Sequence, residues 1–345
     1  MLLCGWLMGI GGCATLAWYG QAVQGQMELM AKREDIEKIL ASDEPEPVER
    51  QKLELVLQAR QFASDELALP DNDSYTRYVE LDRDAVVYNV IATPEFSLEP
   101  KSWCYPIVGC LAYRGYFSRD AAERRAAKLA QQGFDVLVSP VAAYSTLGRF
   151  EDPVTSPMLD YGPTRLAGLI FHELAHQRVF VKGDTAFNEA FATAVERAGL
   201  ERWLEARDQL QRLEAWRNVR ATEIAWIDLL LDARDDLEAL YAGELDAETM
   251  RRRKQQRFSE LQVQYLAFRG RHDTTRFDGY MARALNNAHL ALLATYEAGT
   301  ESFAELLAEY GGDFERFHQA VERLASAEPE ARAEFLNPCR TETCP

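Results

Sequence analysis

Leu166, Leu169, Ile170, Leu174 and Val179 recur with the period of a helix that buries one face and leaves the other free. After the break Val181-Lys182-Gly183-Asp184, capping by Asp184 or Thr185 predicts a second helix running to about Ala198 and stopped by Gly199. Upstream, Ala17 to about Leu40 and Glu49 to Leu67 also have helical periodicity. The run Asp43-Glu44-Pro45-Glu46-Pro47 separates them, because two prolines enforce a turn.

From Tyr75 to Pro140 the pattern changes. Ala85–Ala92, Ile107-Val108 and Leu111–Tyr113 are β-branched and aromatic, Ala121–Gln132 is a helix stopped by Gly133, and Phe134–Val138 is a buried strand. Beyond Gly199 the chain is helical: Ala206–Tyr241 with an antiparallel return over Asp246–Phe268, a loop over Gly270–Tyr280, and a helix Met281–Glu297. The expected class is α+β, mostly helical, with a small mixed sheet beside the 166–179 helix and a large helical C-terminal half. The divisions are 1–13, 14–74, 75–199, 200–330 and 331–345. No internal repeat or low-complexity tract is evident.

The free face of the 166–179 helix carries His172-Glu173-Leu174-Ala175-His176. Residues four apart project side by side, so two imidazoles can each give one nitrogen to a Zn²⁺ ion while Glu173 leans toward its open coordination position. That is the equipment for metal-assisted hydrolysis with Glu173 as general base. A third protein ligand must converge on the pair. Glu189, in the early turns of the next helix, is the first candidate, Asp184 is its rival, and small Ala190, Ala192 and Ala194 permit close approach. Glu196 can hold a histidine's other nitrogen. A donor for the developing oxyanion must also exist, and Tyr280 and His289 are the downstream candidates. Val141–Gly148 can serve as a sheet edge that takes peptide substrate as an added strand, with Tyr144 as a contact, or can be a loop packed under the metal-binding helix. Glu151 and Asp152 can receive a substrate amino group.

A formal charge of −17 argues against a nucleic-acid partner and favours cationic peptides at low salt. Met1–Gly12 is apolar, about long enough for a signal segment and short of the roughly twenty residues that span a bilayer. Ile10-Gly11-Gly12-Cys13 fits a lipoprotein cleavage site, which predicts acylation at Cys13, membrane anchoring and a periplasm-facing protein in a bacterial envelope. With Cys4 removed and Cys13 acylated, Cys104, Cys110, Cys339 and Cys344 remain, enough for two small disulfides in an oxidising compartment.

The histidine pair, the glutamate base and the following Asn188-Glu189 resemble the gluzincin peptidases of the thermolysin and aminopeptidase type. The departure is spacing: Glu189 follows His176 by thirteen residues, closer than in those enzymes. A nearer resemblance, over almost the whole chain, is to a bacterial family of aminopeptidases, many of them predicted lipoproteins. It is carried by Gly12-Cys13, Tyr19-Gly20-Gln21, Gly25-Gln26, Trp103–Pro106 with Gly109-Cys110, and Tyr113–Phe117. Ala143–Gly148, Asp152-Pro153, the His172–His176 motif and Asn188-Glu189 complete it. The resemblance implies a zincin-like fold and removal of N-terminal residues from peptides. Two other functions stay open: a non-catalytic zinc-holding envelope scaffold, against which Glu173 counts, and hydrolysis of an amide or ester in a non-peptide envelope component.

Overall fold

A computed structural model describes residues 10–43, 45–105, 109–143, 145–291, 293 and 299–337, with side chains from Trp18 onward. The expected positions at Tyr144, Ile107-Val108, Cys339 and Cys344, and residues 1–9 of the signal segment, lie outside them, as does the side chain of Cys13.

The N-terminal half comprises α1 (Ile10–Ala31), β1 (Glu34–Asp35), α2 (Ile36–Ala41), α3 (Pro47–Leu67), β2 (Arg77–Val79) and β3 (Val87–Pro94). These are followed by β4 (Trp103–Tyr105), β5 (Gly109–Leu111), β6 (Arg114–Tyr116), α4 (Arg119–Ala130), β7 (Phe134–Val141) and β8 (Val154–Thr155). Then come α5 (Ser156–Leu159), α6 (Pro163–Arg178), α7 (Thr185–Ala206), α8 (Leu210–Tyr241), α9 (Ala247–His272), α10 (Asp278–Met281) and α11 (Asn287–Leu290). α12 (Thr300–Glu309), α13 (Phe314–Ala325) and α14 (Pro329–Leu336) complete the described elements. The protein is α+β and mostly helical.

The largest core joins α3, α6 and α7. Leu53, Val56, Ala59 and Ala63 of α3 pack in one cluster with Leu166, Ile170, Phe171 and Leu174 of α6 and Phe187, Phe191 and Val195 of α7. Phe303 and Phe317 of α12 and α13 close its far side. Two glycines allow α6 and α7 to approach: a Cβ on Gly168 would lie 2.8 Å from Leu200 Cδ1, and one on Gly199 2.7 Å from Leu67 Cδ1. Gly199 is therefore not a stop signal as expected. It lies inside α7, which runs on to Ala206, and its missing side chain is filled by Leu67 and Phe171.

The sheets are small. β2 lies between antiparallel β1 and parallel β8, while β3 lies between antiparallel β6 and β7. Tyr88, Val90 and Ala92 of β3 bury against Ala122, Ala126 and Leu129 of α4, and Ile91, on the opposite face, packs with Ala288 and Ala291. Burial on both faces explains why this stretch reads as a continuous apolar run. β4 and β5 form a hairpin that is closed by the Cys104–Cys110 disulfide. At the start of β5, Gly109 (φ +83°) comes so close to the loop between α6 and α7 that a Cβ there would stand 3.0 Å from the Gly183 nitrogen.

Two other expectations are corrected, and of the two readings of Val141–Gly148 the loop is the one found. The helix predicted over Ala17–Leu40 breaks after Ala31, because Glu34-Asp35 pairs with Arg77-Tyr78 and the Asp35 side chain then caps α2. The helix predicted over Met281–Glu297 is interrupted: Met281 ends α10, and Asn286 caps the short α11. Of the described residues in the Val141–Gly148 stretch, Val141 alone is strand. Beyond it, Asp152 holds the chain as a loop, accepting hydrogen bonds from the Thr146 nitrogen (2.9 Å) and Thr146 Oγ1 (2.7 Å).

Candidate metal centre

Gly162 and Pro163 open α6 with the φ-restricted residue at N1, where no backbone donor is needed. Two turns further on, His172 and His176 lie side by side with their Nε2 atoms 3.2 Å apart. α7 returns alongside. Its start is fixed twice: Asp184 accepts from the Phe187 nitrogen (3.2 Å), and Asn188 both accepts from the Val181 nitrogen (2.7 Å) and donates to the Val181 carbonyl (2.8 Å). One residue on, Glu189 reaches the histidines, with Oε2 at 3.4 Å from His172 Nε2 and Oε1 at 3.8 Å from His176 Nε2.

These distances test whether an ion fits. Ligand atoms about 2.0–2.1 Å from a tetrahedral ion stand about 3.3 Å from each other. The 3.2 Å between the two Nε2 atoms is close to that, while Glu189 approaches the two rings through different oxygens; taking one atom from each residue, the three lie within 4.8 Å of one another, and His172, His176 and Glu189 are the one group among the described residues that can hold a metal. His172 Nδ1 lies 3.2 Å from Glu196 Oε2, at ion-pair distance and outside hydrogen-bonding geometry, which places a carboxylate beside the ring's other nitrogen, as is common for metal-binding histidines. His176 Nδ1 has no partner among the described residues.

The charges agree with that arrangement. Burial pulls His172 down, but Glu189 and Glu196 outweigh it and hold its proton well above the ordinary imidazole range. Burial, aided by the neighbouring His172 charge, lowers His176 to about 4, leaving it neutral. Burial raises Glu189, yet the two histidines bring it below its ordinary value. Without an ion, a proton on His172 thus supplies positive charge between two carboxylates. Glu173 is pushed up to about 7, first by burial and then by Glu189, Asp152 and Glu196, with His172 opposing. A carboxyl so tuned can both take and return a proton near neutrality.

The structure separates the other candidates. Asp184, the rival ligand, is occupied by its cap and by Arg332, whose Nε lies 2.7 Å from Oδ2. Tyr280 packs in a separate core with Trp226 and Phe268, and its hydroxyl donates to the His289 carbonyl at 2.8 Å. His289 Nδ1 accepts from the Asn286 nitrogen, completing the capping box of α11, and the charged groups around the ring are Arg283 and Asp135. Neither residue is brought to the histidine pair, because the break before α11 uses their polar atoms. Glu151 pairs with Arg33 and Arg77, and Asp152 is buried as a loop anchor, so neither carboxylate is left for a substrate amino group.

Sequence reasoning missed Tyr75 and Gln177. Tyr75 is fully buried with φ +64°, and its hydroxyl has no partner in hydrogen-bonding geometry among the described residues. Burial and then the charges of Glu173 and Asp152 raise it well above the ordinary phenol value, with Ser145 easing the shift. Gln177 follows His176 and spans the adjoining loops, accepting from Asn72 Nδ2 (2.9 Å) and donating to Ser74 Oγ (3.2 Å). The turn-forming run Asp71-Asn72-Asp73-Ser74 was the available signal for a shaped loop here.

No curated protein matches the chain. No solved structure matches it either. A family model does match, across residues 17–336, and with most of the sequence thus covered the chain belongs to the Aminopep family, whose description is "Putative aminopeptidase".

Proposed function

We propose that this protein is a zinc-dependent metallopeptidase of the gluzincin kind that removes residues from the N-termini of peptides. The observation that carries the reading is the convergence of His172, His176 and Glu189, whose ligand atoms lie within 4.8 Å of one another, with Glu173 one residue from a ligand. Two nitrogens and one carboxylate make a donor set suited to zinc with a position left open. When bound, such an ion supplies Lewis acidity toward the scissile carbonyl and lowers the pKa of water to about 7.

The chain's own residues do the rest. His172, His176 and Glu189 would hold the ion, with the Glu196 carboxylate 3.2 Å from the His172 ring's other nitrogen. Glu173 takes a proton from the attacking water as its oxygen bonds to the carbonyl carbon. It then passes that proton to the departing amine as the C–N bond breaks. The aminopeptidase direction rests on the family description.

The test is Glu173→Gln. The variant should bind zinc like the wild type while hydrolysis of aminoacyl-amide substrates falls by about 10²–10⁴-fold. Wild-type turnover in a zinc-loaded Glu173→Gln protein would falsify the mechanism.

We further infer attachment to a bacterial envelope through Cys13, from the uncharged run that leads into α1. Among the described residues no helix is long and apolar enough to cross a membrane. Cys13→Ala should release the protein from the membrane fraction and abolish labelling by a fatty-acid analogue; retention of both would remove this inference.

A further inference from the structure

The first charged residue of the chain is Glu28, so α1 carries no Asp, Glu, Lys or Arg from Ile10 through Met27, in a protein of which 27% is charged. A surface helix ordinarily turns a charged side to water; one that has none buries the rest of its circumference too. One side of α1 is buried by the body. Trp18 Nε1 donates to the Gly115 carbonyl at 2.8 Å, and Gln21 Oε1 accepts from the Phe117 nitrogen at 3.0 Å. Phe117 fills the space beside Gly25, where a Cβ would stand 2.2 Å from its Cγ, and Leu29 packs with Val79, Val86 and Val87.

The other side is open. From Trp18 to the end of the helix its exposed residues are Tyr19, Gly20, Val23, Gln24, Met27 and Ala31, none of them charged. Val23 is 58% exposed and Met27, one turn further on, 64%. The charges that border this face are engaged elsewhere: Glu28 pairs with Lys32 at 2.9 Å and with Arg83 at 3.7 Å.

Helical periodicity connects this face to Cys13. α1 runs unbroken from Ile10, and Cys13 precedes Gly20 by seven residues and Met27 by fourteen, about two and about four turns at 3.6 residues each. The position from which attachment is inferred therefore shares the open side of the helix, away from the side fixed to Gly115 and Phe117. A lipid carried there brings a bilayer to the row that Val23 and Met27 occupy. One acyl chain holds a protein to a membrane only marginally, and stable anchoring takes a second signal. With its other side fixed to the body, α1 can lie along a bilayer and cannot cross it.

We propose that the open side of α1 lies on a lipid bilayer, Tyr19, Val23 and Met27 entering its interface beside the lipid carried by Cys13, so that the protein is held flat against the membrane in one orientation instead of at the end of a tether. This deepens the attachment reading and rests on it for the presence of a membrane; lipid contact at α1 is measured separately from acylation.

The test uses the full-length protein as cells make it, with zwitterionic phosphatidylcholine vesicles, because anionic lipid would repel a chain of formal charge −17. A benzophenone-bearing amino acid replaces Met27 or, as control, Leu266 of α9, which is 63% exposed. On illumination the residue at 27 should form adducts with lipid and the one at 266 should not. Val23→Glu with Met27→Glu should speed transfer to acceptor vesicles by about tenfold or more, while Val263→Glu with Leu266→Glu, which adds the same charge, should leave the rate unchanged. All four positions are exposed, and circular dichroism verifies that each variant keeps the fold. No lipid adduct at 27, equal adducts at both positions, cross-links from 27 to a second copy of the chain, or equal transfer rates for the two pairs overturns the proposal. Labelling by a fatty-acid analogue separates it from attachment at Cys13. Acylated protein without adducts at 27 keeps the attachment and removes the docked helix; adducts at 27 in unacylated Cys13→Ala protein do the reverse.

Discussion

Glu196 is a residue whose role follows from one distance. Its carboxylate stands 3.2 Å from His172 Nδ1, leaving Nε2 as the nitrogen that faces His176 and Glu189. Glu196→Gln keeps the shape and removes the charge, and a partner of this kind typically accounts for about 10–100-fold in metal affinity. The expected result is weaker zinc binding by that factor with an unchanged circular dichroism spectrum; unaltered affinity would leave Glu196 as a bystander. The histidine pair, its glutamate and Glu189 were legible in the sequence because helical periodicity fixes who faces whom over four residues and a short loop limits where the next helix starts. Tyr75 and Gln177 were not legible. Their significance comes from contacts with residues far away in the chain, Glu173 and Asp152 for the first and Asn72 and Ser74 for the second. Tyr280 and His289 were chosen by residue type alone, and local hydrogen bonding around α11 had prior use for both.

Among elements, the α6–α7 pair decides the site. Strong local signals gave α3, α4, α6, α8 and α9 to within a few residues, since stop signals such as Gly133 and long apolar stripes act over short range. The misread ends at Ala31 and Gly199 have tertiary causes. A glycine within a helix pattern reads as an end, and only the arrival of Leu67 and Phe171 shows why Gly199 is tolerated inside α7. Gly199→Ala tests this, with two opposing effects. Alanine favours the helix by roughly 0.5–1 kcal/mol, whereas forcing a methyl into a filled space costs roughly 1–3 kcal/mol. Overpacking should win, lowering stability by about 1–2 kcal/mol in urea unfolding. Phe171 precedes His172, so zinc affinity should fall with it. A stabilised variant would mean that the contact yields without cost.

For the whole molecule, buried histidines set the response to acid. His318 is fully enclosed, its Nε2 lies 2.9 Å from the Leu67 carbonyl, and burial pulls it down to about 4; His289 is lowered to about 4 for the same first reason. An unfolded histidine titrates near 6.5. Between about 6.5 and 4 the unfolded chain therefore takes up protons that the native one refuses. Stability is full above that window and is lost as pH falls through it, by up to on the order of 3 kcal/mol for each ring. His172 has the opposite sign in the metal-free protein: its proton is held above the unfolded value, so its contribution is present below about 6.5 and disappears as pH rises through the folded value. Urea midpoints should accordingly drop from about pH 6.5 downward, and His318→Asn should flatten the slope. A midpoint constant over that range would show that the rings are solvated.

The hairpin β4–β5 has a consequence of its own. Its described residues supply no ligand, yet Gly109, beside the cross-linked Cys110, abuts Gly183, in the loop that Asn188 ties down and that sets how α7 returns to α6. Breaking the sulfur–sulfur bond would unlock that brace and let the returning helix drift, widening the three-donor grip from a distance. A cell compartment's thiol balance would then govern how closely those three donors stay together.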